Sequence, residues 1–214
     1  MAKPELLFVV GCNAAGKSSF IRTRINNLEG FEIIMTDVYK GRSKEIFSQA
    51  LKQGKSIILE TVFNDDSYKD LVDKARDAGY HTALIVLFLD SLQHSIDRVA
   101  FRSMEQNGLV ISGSNIQINF NESFKNVACY FFYFDKTDFI YTGITGSNMQ
   151  IMRFSKSKIT YYKASDLQYP QKFAAFACHN DRLNQEALSS RKRPACGSNA
   201  YYHKRDACGS EGAS

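Results

Sequence analysis

The most restrictive feature of the chain is the stretch GCNAAGKSS, from Gly11 to Ser19. It completes the pattern G-x-x-x-x-G-K-[ST] at Gly11, Gly16, Lys17 and Ser18. That pattern has a mechanism only when a buried strand precedes it and a helix follows. Both flanks are present. ELLFVV, from Glu5 to Val10, is a short apolar run ended by a glycine, which reads as a central parallel strand. KSSFIRTRINNL follows, with Phe20, Ile21, Ile25 and Leu28 on one helical face. In that order the backbone N–H groups of the loop converge on one point, where a helix start also favours an anion. The expected cradle is Gly11, Cys12, Asn13, Ala14, Ala15, Gly16, Lys17, Ser18 and Ser19. Lys17 would reach the β- and γ-phosphates of a nucleoside triphosphate, and the Ser18 hydroxyl would bind Mg²⁺.

The rest of the chain repeats strand and helix. EIIMTD predicts a second strand ending at Asp37, and SKEIFSQALKQG a helix stopped by Gly54, with Ile46, Phe47, Ala50 and Leu51 inward. SIILETVF predicts a third strand, DDSYKDLVDKARDAG a helix with an Asp cap and a Gly79 stop, and HTALIVLFLD a fourth strand buried on both faces. SLQHSIDRVAFRSMEQNG reads as a helix to Gly108, and CYFFYFDKT as a fifth strand. FIYTGITGSNMQIMRFSKSKITYY alternates around Gly-Ser-Asn and predicts an antiparallel hairpin at the sheet edge. The expected fold is therefore α/β of the P-loop NTPase type. It has a mainly parallel five-stranded sheet, helices on both faces and a C-terminal β-hairpin.

At 214 residues the chain suits one well-filled domain, taken as residues 1–190. Residues 191–214 are small, polar and basic without periodicity, and are expected to be a disordered tail. Five cations against two acids in that tail account for +3 of the net +5, leaving +2 on the domain. A near-neutral body argues against a long phosphate-tracking groove, so nucleic acid is not an expected partner. No apolar stretch reaches the roughly 20 residues of a membrane helix, and MAKPE lacks a secretory h-region, so a cytoplasmic protein without a membrane partner is expected. The five cysteines (Cys12, Cys129, Cys178, Cys196, Cys208) have irregular spacing and read as reduced thiols. Cys196, His203 and Cys208 lack a fourth ligand for a zinc site.

A triphosphate site in an α/β sheet needs an acid at the carboxyl end of a neighbouring strand. Asp37, Glu60 and Asp90 qualify. Asp37 is the candidate base that orients a hydroxyl and takes its proton. Glu60, with the Thr61 hydroxyl beside it, could serve the Mg²⁺ side or hold substrate. Asp90 reads more simply as a helix N-cap. Arg98 and Arg102 share a helix face with His94 and are candidates for stabilising phosphoryl charge; the alternative is a solvated face paired with Asp97 or Glu105.

The series VVGCNAAGKSSF, MTD, ILETVF and AGYHTALIVLFLDSLQHSIDRVAFR, then NG and an amphipathic stretch, resembles the zeta-toxin-like P-loop kinases. Their small bacterial branch of predicted ATPases is the nearer likeness, from about Phe8 to Tyr141. The resemblance implies an ATP-dependent kinase with Mg²⁺. It implies a small-molecule acceptor, for zeta toxins the amino-sugar hydroxyl of UDP-N-acetylglucosamine, and an antitoxin protein as partner. Carried over residue by residue, Asp37 matches the catalytic base, and Glu60 with Thr61 the substrate-side acid motif. Arg98 matches the arginine that meets the γ-phosphate, and Arg102 a second one.

The chain departs from that pattern after the glycine turn. Members of the branch carry a histidine and proline and then an arginine-rich run, where this chain has NGLVISGSNIQINFNESFKNV. Gln117, Asn119 and Asn121 stand at expected arginine positions. Losing guanidinium groups can cost several powers of ten in rate while sparing nucleotide binding. A kinase that phosphorylates a small molecule is thus the first expectation. A nucleotide-binding protein with weak transfer acting through a partner is the second, and an ATP hydrolase the third.

Overall fold

Strand β1 (Glu5–Val10) is apolar because it is covered on both faces. Leu6, Phe8 and Val10 enter the larger of two buried clusters and Val9 the smaller, and none of the four is more than 1% exposed. The computed structural model describes residues 3–24, 29–106 and 111–179. Within these, β2 (Phe31–Met35), β3 (Ser56–Thr61), β4 (His81–Phe88), β5 (Lys136–Tyr141), β6 (Met149–Ser155) and β7 (Lys158–Tyr162) join β1 in one sheet. The order is β2-β3-β1-β4-β5-β6-β7. Strands β1 to β5 are parallel to one another, and β6 and β7 extend the sheet antiparallel. Because β3 and β4 flank β1 on opposite sides, the connections diverge at its carboxyl end and leave a crevice there.

The helices are α1 (Lys17–Arg22), α2 (Thr36–Tyr39), α3 (Ser43–Lys52), α4 (Tyr68–Asp77), α5 (Leu92–Gln106), α6 (Gly113–Tyr130) and α7 (Gln168–His179). Phe47 and Ala50 of α3, Leu71, Val72 and Ala75 of α4, Phe124 and Val127 of α6 and Phe173 of α7 fill the larger cluster. Phe20 and Ile21 of α1 fill the smaller one with Val9, Ile58 and Leu87. Ile25 and Leu28, expected on the same face of α1, lie outside the described residues, as do Gly108 and the 191–214 tail with Cys196, His203 and Cys208.

Four expectations are corrected. The sheet has seven strands, not five: FIY belongs to β5, and the antiparallel pairing expected at the edge carries the sheet on through β6 and β7. The fifth strand does not begin at Cys129. Cys129 and Tyr130 end α6, and Phe131–Tyr133 form a 3-10 turn whose Phe131 is fully buried. The aromatic run is apolar because it plugs the core, not because it pairs. The second strand stops at Met35, and Asp37 falls in α2. Asp90 does not cap the helix beside it. Ser91 Oγ accepts the His94 N–H there, whereas Asp90 Oδ1 accepts the N–H of Tyr169, 2.8 Å away, at the start of α7. Helix α7 itself matches no element expected from the sequence, yet it buries Tyr169, Phe173 and Phe176. Cys12 is a free, buried thiol. Among the described residues no helix is long and apolar enough to cross a membrane.

Candidate active site

Register brings the candidate residues to one end of the sheet. Val10 pairs with Thr61 on one side and Val86 on the other, Val9 pairs with Glu60, and Met35 pairs with Glu60 from the far edge. The loop after β1, the Glu60-Thr61 pair and the turn holding Asp37 therefore sit side by side.

The loop's shape follows from where its carbonyls go. Gly11 has no room for a side chain, since a Cβ there would lie 2.1 Å from Leu87 O. Gly16 caps α1 with a φ of +85°, a conformation that glycine adopts without penalty. Between them, each successive carbonyl accepts a side-chain donor. Lys17 Nζ donates to Gly11 O at 3.0 Å and Cys12 O at 3.2 Å. Ser95 Oγ donates to Asn13 O at 2.8 Å, Arg98 Nη1 to Ala14 O at 3.5 Å, and Thr142 Oγ1 to Ala15 O at 2.9 Å. The loop is thereby fastened carbonyl by carbonyl, two of them on the Lys17 ammonium, which is itself a group that attracts an anion. Ala14 sits at a φ of +56°, a left-handed conformation costing roughly 1–3 kcal/mol in a non-glycine residue.

Lys17 is 8% exposed, the one lysine buried among the described residues. Burial lowers its pKa, opposed by the charges of Glu60, Cys12 and Asp37. Ser18 Oγ donates to Glu60 Oε1 at 3.1 Å, so its lone pairs stay open. Glu60 is 7% exposed, and its Oε2 is buried without a hydrogen-bond partner. Leaving such an acceptor unpaired costs about 1–3 kcal/mol or more, a penalty that an incoming cation or donor removes. Burial raises the Glu60 pKa, and the Lys17 charge and the Ser18 bond only partly offset it. The oxygens of Glu60 and Ser18 suit a Mg²⁺ ion, which is commonly held by one or two carboxylates together with substrate phosphates.

The raised pKa has a consequence for stability. A carboxyl whose folded pKa exceeds its unfolded value binds a proton more readily when folded, so stability falls as pH rises from the unfolded pKa through the folded one. Glu60→Gln removes that loss. Its melting temperature is expected to exceed the parent's at neutral pH, and the gap to close toward about pH 4, where unfolded glutamate also protonates. Thermal melts across that range check it, and a gap that does not change with pH would refute the assignment of burial as the dominant cause.

The other candidates are placed as follows. Asp37 is exposed in the first turn of α2, and its charge acts on both Lys17 and Glu60. Arg98 is half-buried and bridges Ala14 O to Gly143 O, 3.2 Å from Nη2. Arg102 is exposed, and its charge reaches Lys17. Among the described residues neither arginine makes an ion pair with Asp97 or Glu105; Asp97 instead accepts from Gln93. Thr61 is 2% exposed, and its Oγ1 accepts the Phe63 N–H, which fixes the turn that leaves β3. Ser19 faces solvent. Of the arginine-replacing residues, Gln117 and Asn121 are exposed, while Asn119 touches the loop: its Nδ2 donates to Asn13 Oδ1 at 2.9 Å.

Sequence reasoning missed Ser95 and Thr142, which fasten the loop. Ser95 carried a signal, lying three and seven residues before Arg98 and Arg102 on the same helical face. Thr142 carried one only in hindsight of topology, since it directly follows β5 at the crevice end of the sheet.

The model of the Zeta toxin family matches residues 41–142. That segment is similar to the Zeta toxin family. The zeta-toxin-like segment includes Glu60, Thr61, Arg98, Arg102 and Asn119, whereas the phosphate loop and Asp37 precede it. Three solved structures from two systems share the fold. One is the AvrRxo1-ORF1:AvrRxo1-ORF2 complex with sulphate ions, 13% identical over 80% of this chain and 64% of that chain, with a TM-score of 0.57. Another comes from the PezAT chromosomal toxin–antitoxin system of Streptococcus pneumoniae, 11% identical over 89% of each chain, with a TM-score of 0.53. An AvrRxo1-ORF1:-ORF2 complex with ATP has a TM-score of 0.56 at 13% identity, over 82% of this chain and 64% of that one. The chain thus spans just under two thirds of these two AvrRxo1 chains. No curated protein sequence matches it.

Proposed function

We propose that the chain is an ATP-dependent kinase that transfers the γ-phosphate of ATP to a hydroxyl of a small-molecule acceptor. The observation that carries this reading is the trio of buried Lys17, half-buried Ser18 and buried Glu60. The Lys17 ammonium is held on the loop carbonyls of Gly11 and Cys12, and Ser18 bonds a carboxylate whose other oxygen is buried without a hydrogen-bond partner. A phosphate-binding turn without chemistry would not bury an unpaired carboxylate next to its lysine.

In this mechanism the loop amides and Lys17 hold the polyphosphate, and Ser18 with Glu60 would hold Mg²⁺, which neutralises phosphate charge when bound. Asp37 accepts the acceptor's proton as its oxygen attacks the γ-phosphorus, and ADP leaves with the electrons of the broken P–O bond. Arg98 and Arg102 stabilise the charge spread over the phosphoryl oxygens. Thr61 supports the acid motif from within the turn. The acceptor class proposed on family resemblance is a UDP-amino sugar, with UDP-N-acetylglucosamine the first to test. The toxin–antitoxin character of the PezAT relative extends the proposal to an antitoxin-like protein partner.

One observation favours a second reading, ATP binding with weak or no transfer. The positions expected to supply arginines hold Gln117, Asn119 and Asn121, and only Asn119 faces the loop. γ-Labelled ATP separates the readings. Label on a UDP-sugar is the expected result. Label released only as phosphate makes the chain a hydrolase, and saturable binding without release makes it a nucleotide-dependent binder.

A further inference from the structure

Three asparagines from distant parts of the chain form a polarised relay that ends in the phosphate loop. Asn64 Nδ2, in the turn after β3, donates to Asn119 Oδ1 at 2.8 Å. Asn119 Nδ2, on α6, donates to Asn13 Oδ1 at 2.9 Å. A carboxamide has one acceptor oxygen and one donor nitrogen, so each bond fixes the direction of the next. The last member, Asn13, has its oxygen occupied and its NH2 group facing away from the relay. Among the described residues Asn13 takes part in only one other hydrogen bond, through its backbone oxygen with Ser95. The relay is braced at its origin: one helical face of α6 carries both Asn119 and Asn126, and Asn126 Nδ2 donates to Phe63 O at 3.0 Å.

Lys17 shows which end of the loop meets the distal phosphates. Its ammonium, the group that reaches the β- and γ-phosphates in loops of this pattern, rests on the carbonyls of Gly11 and Cys12, immediately before Asn13. We infer that Asn13 Nδ2 is a donor to the terminal phosphate of the bound triphosphate, and that Asn119 is the positioning residue that keeps the NH2 group, rather than the oxygen, turned toward it. The relay supplies a neutral donor, Asn13 Nδ2, at a site where charge develops, and holds it through Asn119, one of the positions where guanidinium groups were expected. It also ties the nucleotide loop to the turn that follows Glu60 and Thr61, so that nucleotide and acceptor sides share one hydrogen-bonded strut. This inference rests on the nucleotide reading above.

The test compares ADP with the β,γ-imido analogue of ATP, by calorimetric titration of the full chain with Mg²⁺ present. The preference for the triphosphate over ADP isolates the terminal phosphate, because damage to the loop as a whole weakens both ligands alike. Asn13→Ala is expected to lower that preference about tenfold, the worth of one hydrogen bond to a charged group. Asn119→Ala frees Asn13 to turn and lowers the preference less, by roughly threefold. In the double variant the Asn119 effect vanishes, since it acts through Asn13. Should Asn13→Ala fail to fold, Asn13→Asp keeps the shape and the bond from Asn119 while replacing the donor by an acceptor, and is expected to lower the preference further. An unchanged preference in Asn13→Ala, or an Asn119 effect that persists undiminished without Asn13, overturns the relay and leaves the nucleotide reading standing. A parent protein that binds neither ligand overturns the nucleotide reading, and the relay falls with it.

Discussion

Lys17→Met is expected to abolish saturable ATP binding and lower phosphate transfer by at least ~10³-fold, while the protein melts no lower than its parent. The two halves of that result have separate causes. Lys17 is buried, and burial disfavours its charged form, so the folded state is carrying an ammonium it would hold more cheaply in water. Methionine keeps the stem's bulk and removes the charge. What it forfeits is a pair of hydrogen bonds to Gly11 O and Cys12 O, each worth roughly 1 kcal/mol net, against relief of the desolvation penalty. A lysine kept for structure would give the opposite pattern: a lower melting temperature and intact binding. Lys17→Arg is expected to fail almost as badly, because a planar fork does not fit where a point charge lies against two adjacent carbonyls. Titration with ATP and a melting curve on the same preparation decide the matter. Retained micromolar binding by Lys17→Met would remove the loop from any account of function.

That lysine was legible from one short pattern with its flanks, because the pattern encodes a backbone shape and not only a composition. Strands β1, β3 and β4 were legible for a related reason: buried on both faces, they appear as unbroken apolar runs ending at the crevice. The same rule misled at Cys129–Phe134, where apolarity reports burial of Phe131 and Phe134 beneath packed helices, and burial does not distinguish a strand from a turn. Helix α7 escaped because its apolar residues Tyr169, Phe173 and Phe176 are interspersed with polar ones in a short, proline-containing stretch. Its cap comes from Asp90, far back in the chain, which no local pattern reveals.

At the site, what could be read were side chains proposed to act on a ligand. What could not were side chains that act on the loop. Ser95 and Thr142 do their work by accepting responsibility for backbone carbonyls, and their identity as small hydroxyl residues is common everywhere in proteins. Asn119 presents the sharpest case. Against the family pattern it reads as a missing arginine. In the fold it reads as a joint between Asn13 and Asn64, and neither partner is near it in sequence.

Asp37→Asn is expected to lower transfer to a hydroxyl acceptor by about 10²–10⁴-fold, the usual contribution of a general base, and to leave nucleotide affinity within about twofold of the parent. Two carboxylates stand near the cradle, and their surroundings assign them different work. Glu60 is enclosed, bonded to Ser18 through one oxygen and aimed inward with the other, so a mobile acceptor hydroxyl reaches it poorly. Asp37 is open to solvent on a short helical turn, beside the end of a strand in register with Glu60. Its charge is felt at Lys17 and Glu60, so it stands close to the phosphates without being locked among them. An exposed carboxylate in that place can meet an acceptor, take its proton and return it to water. Asparagine keeps the size and a hydrogen-bond acceptor and loses only basicity, so the loss should appear in kcat, with nucleotide KM little changed. Removing one negative charge near a polyphosphate should, if anything, tighten nucleotide binding slightly. Transfer by Asp37→Asn at the parent rate would move the base elsewhere.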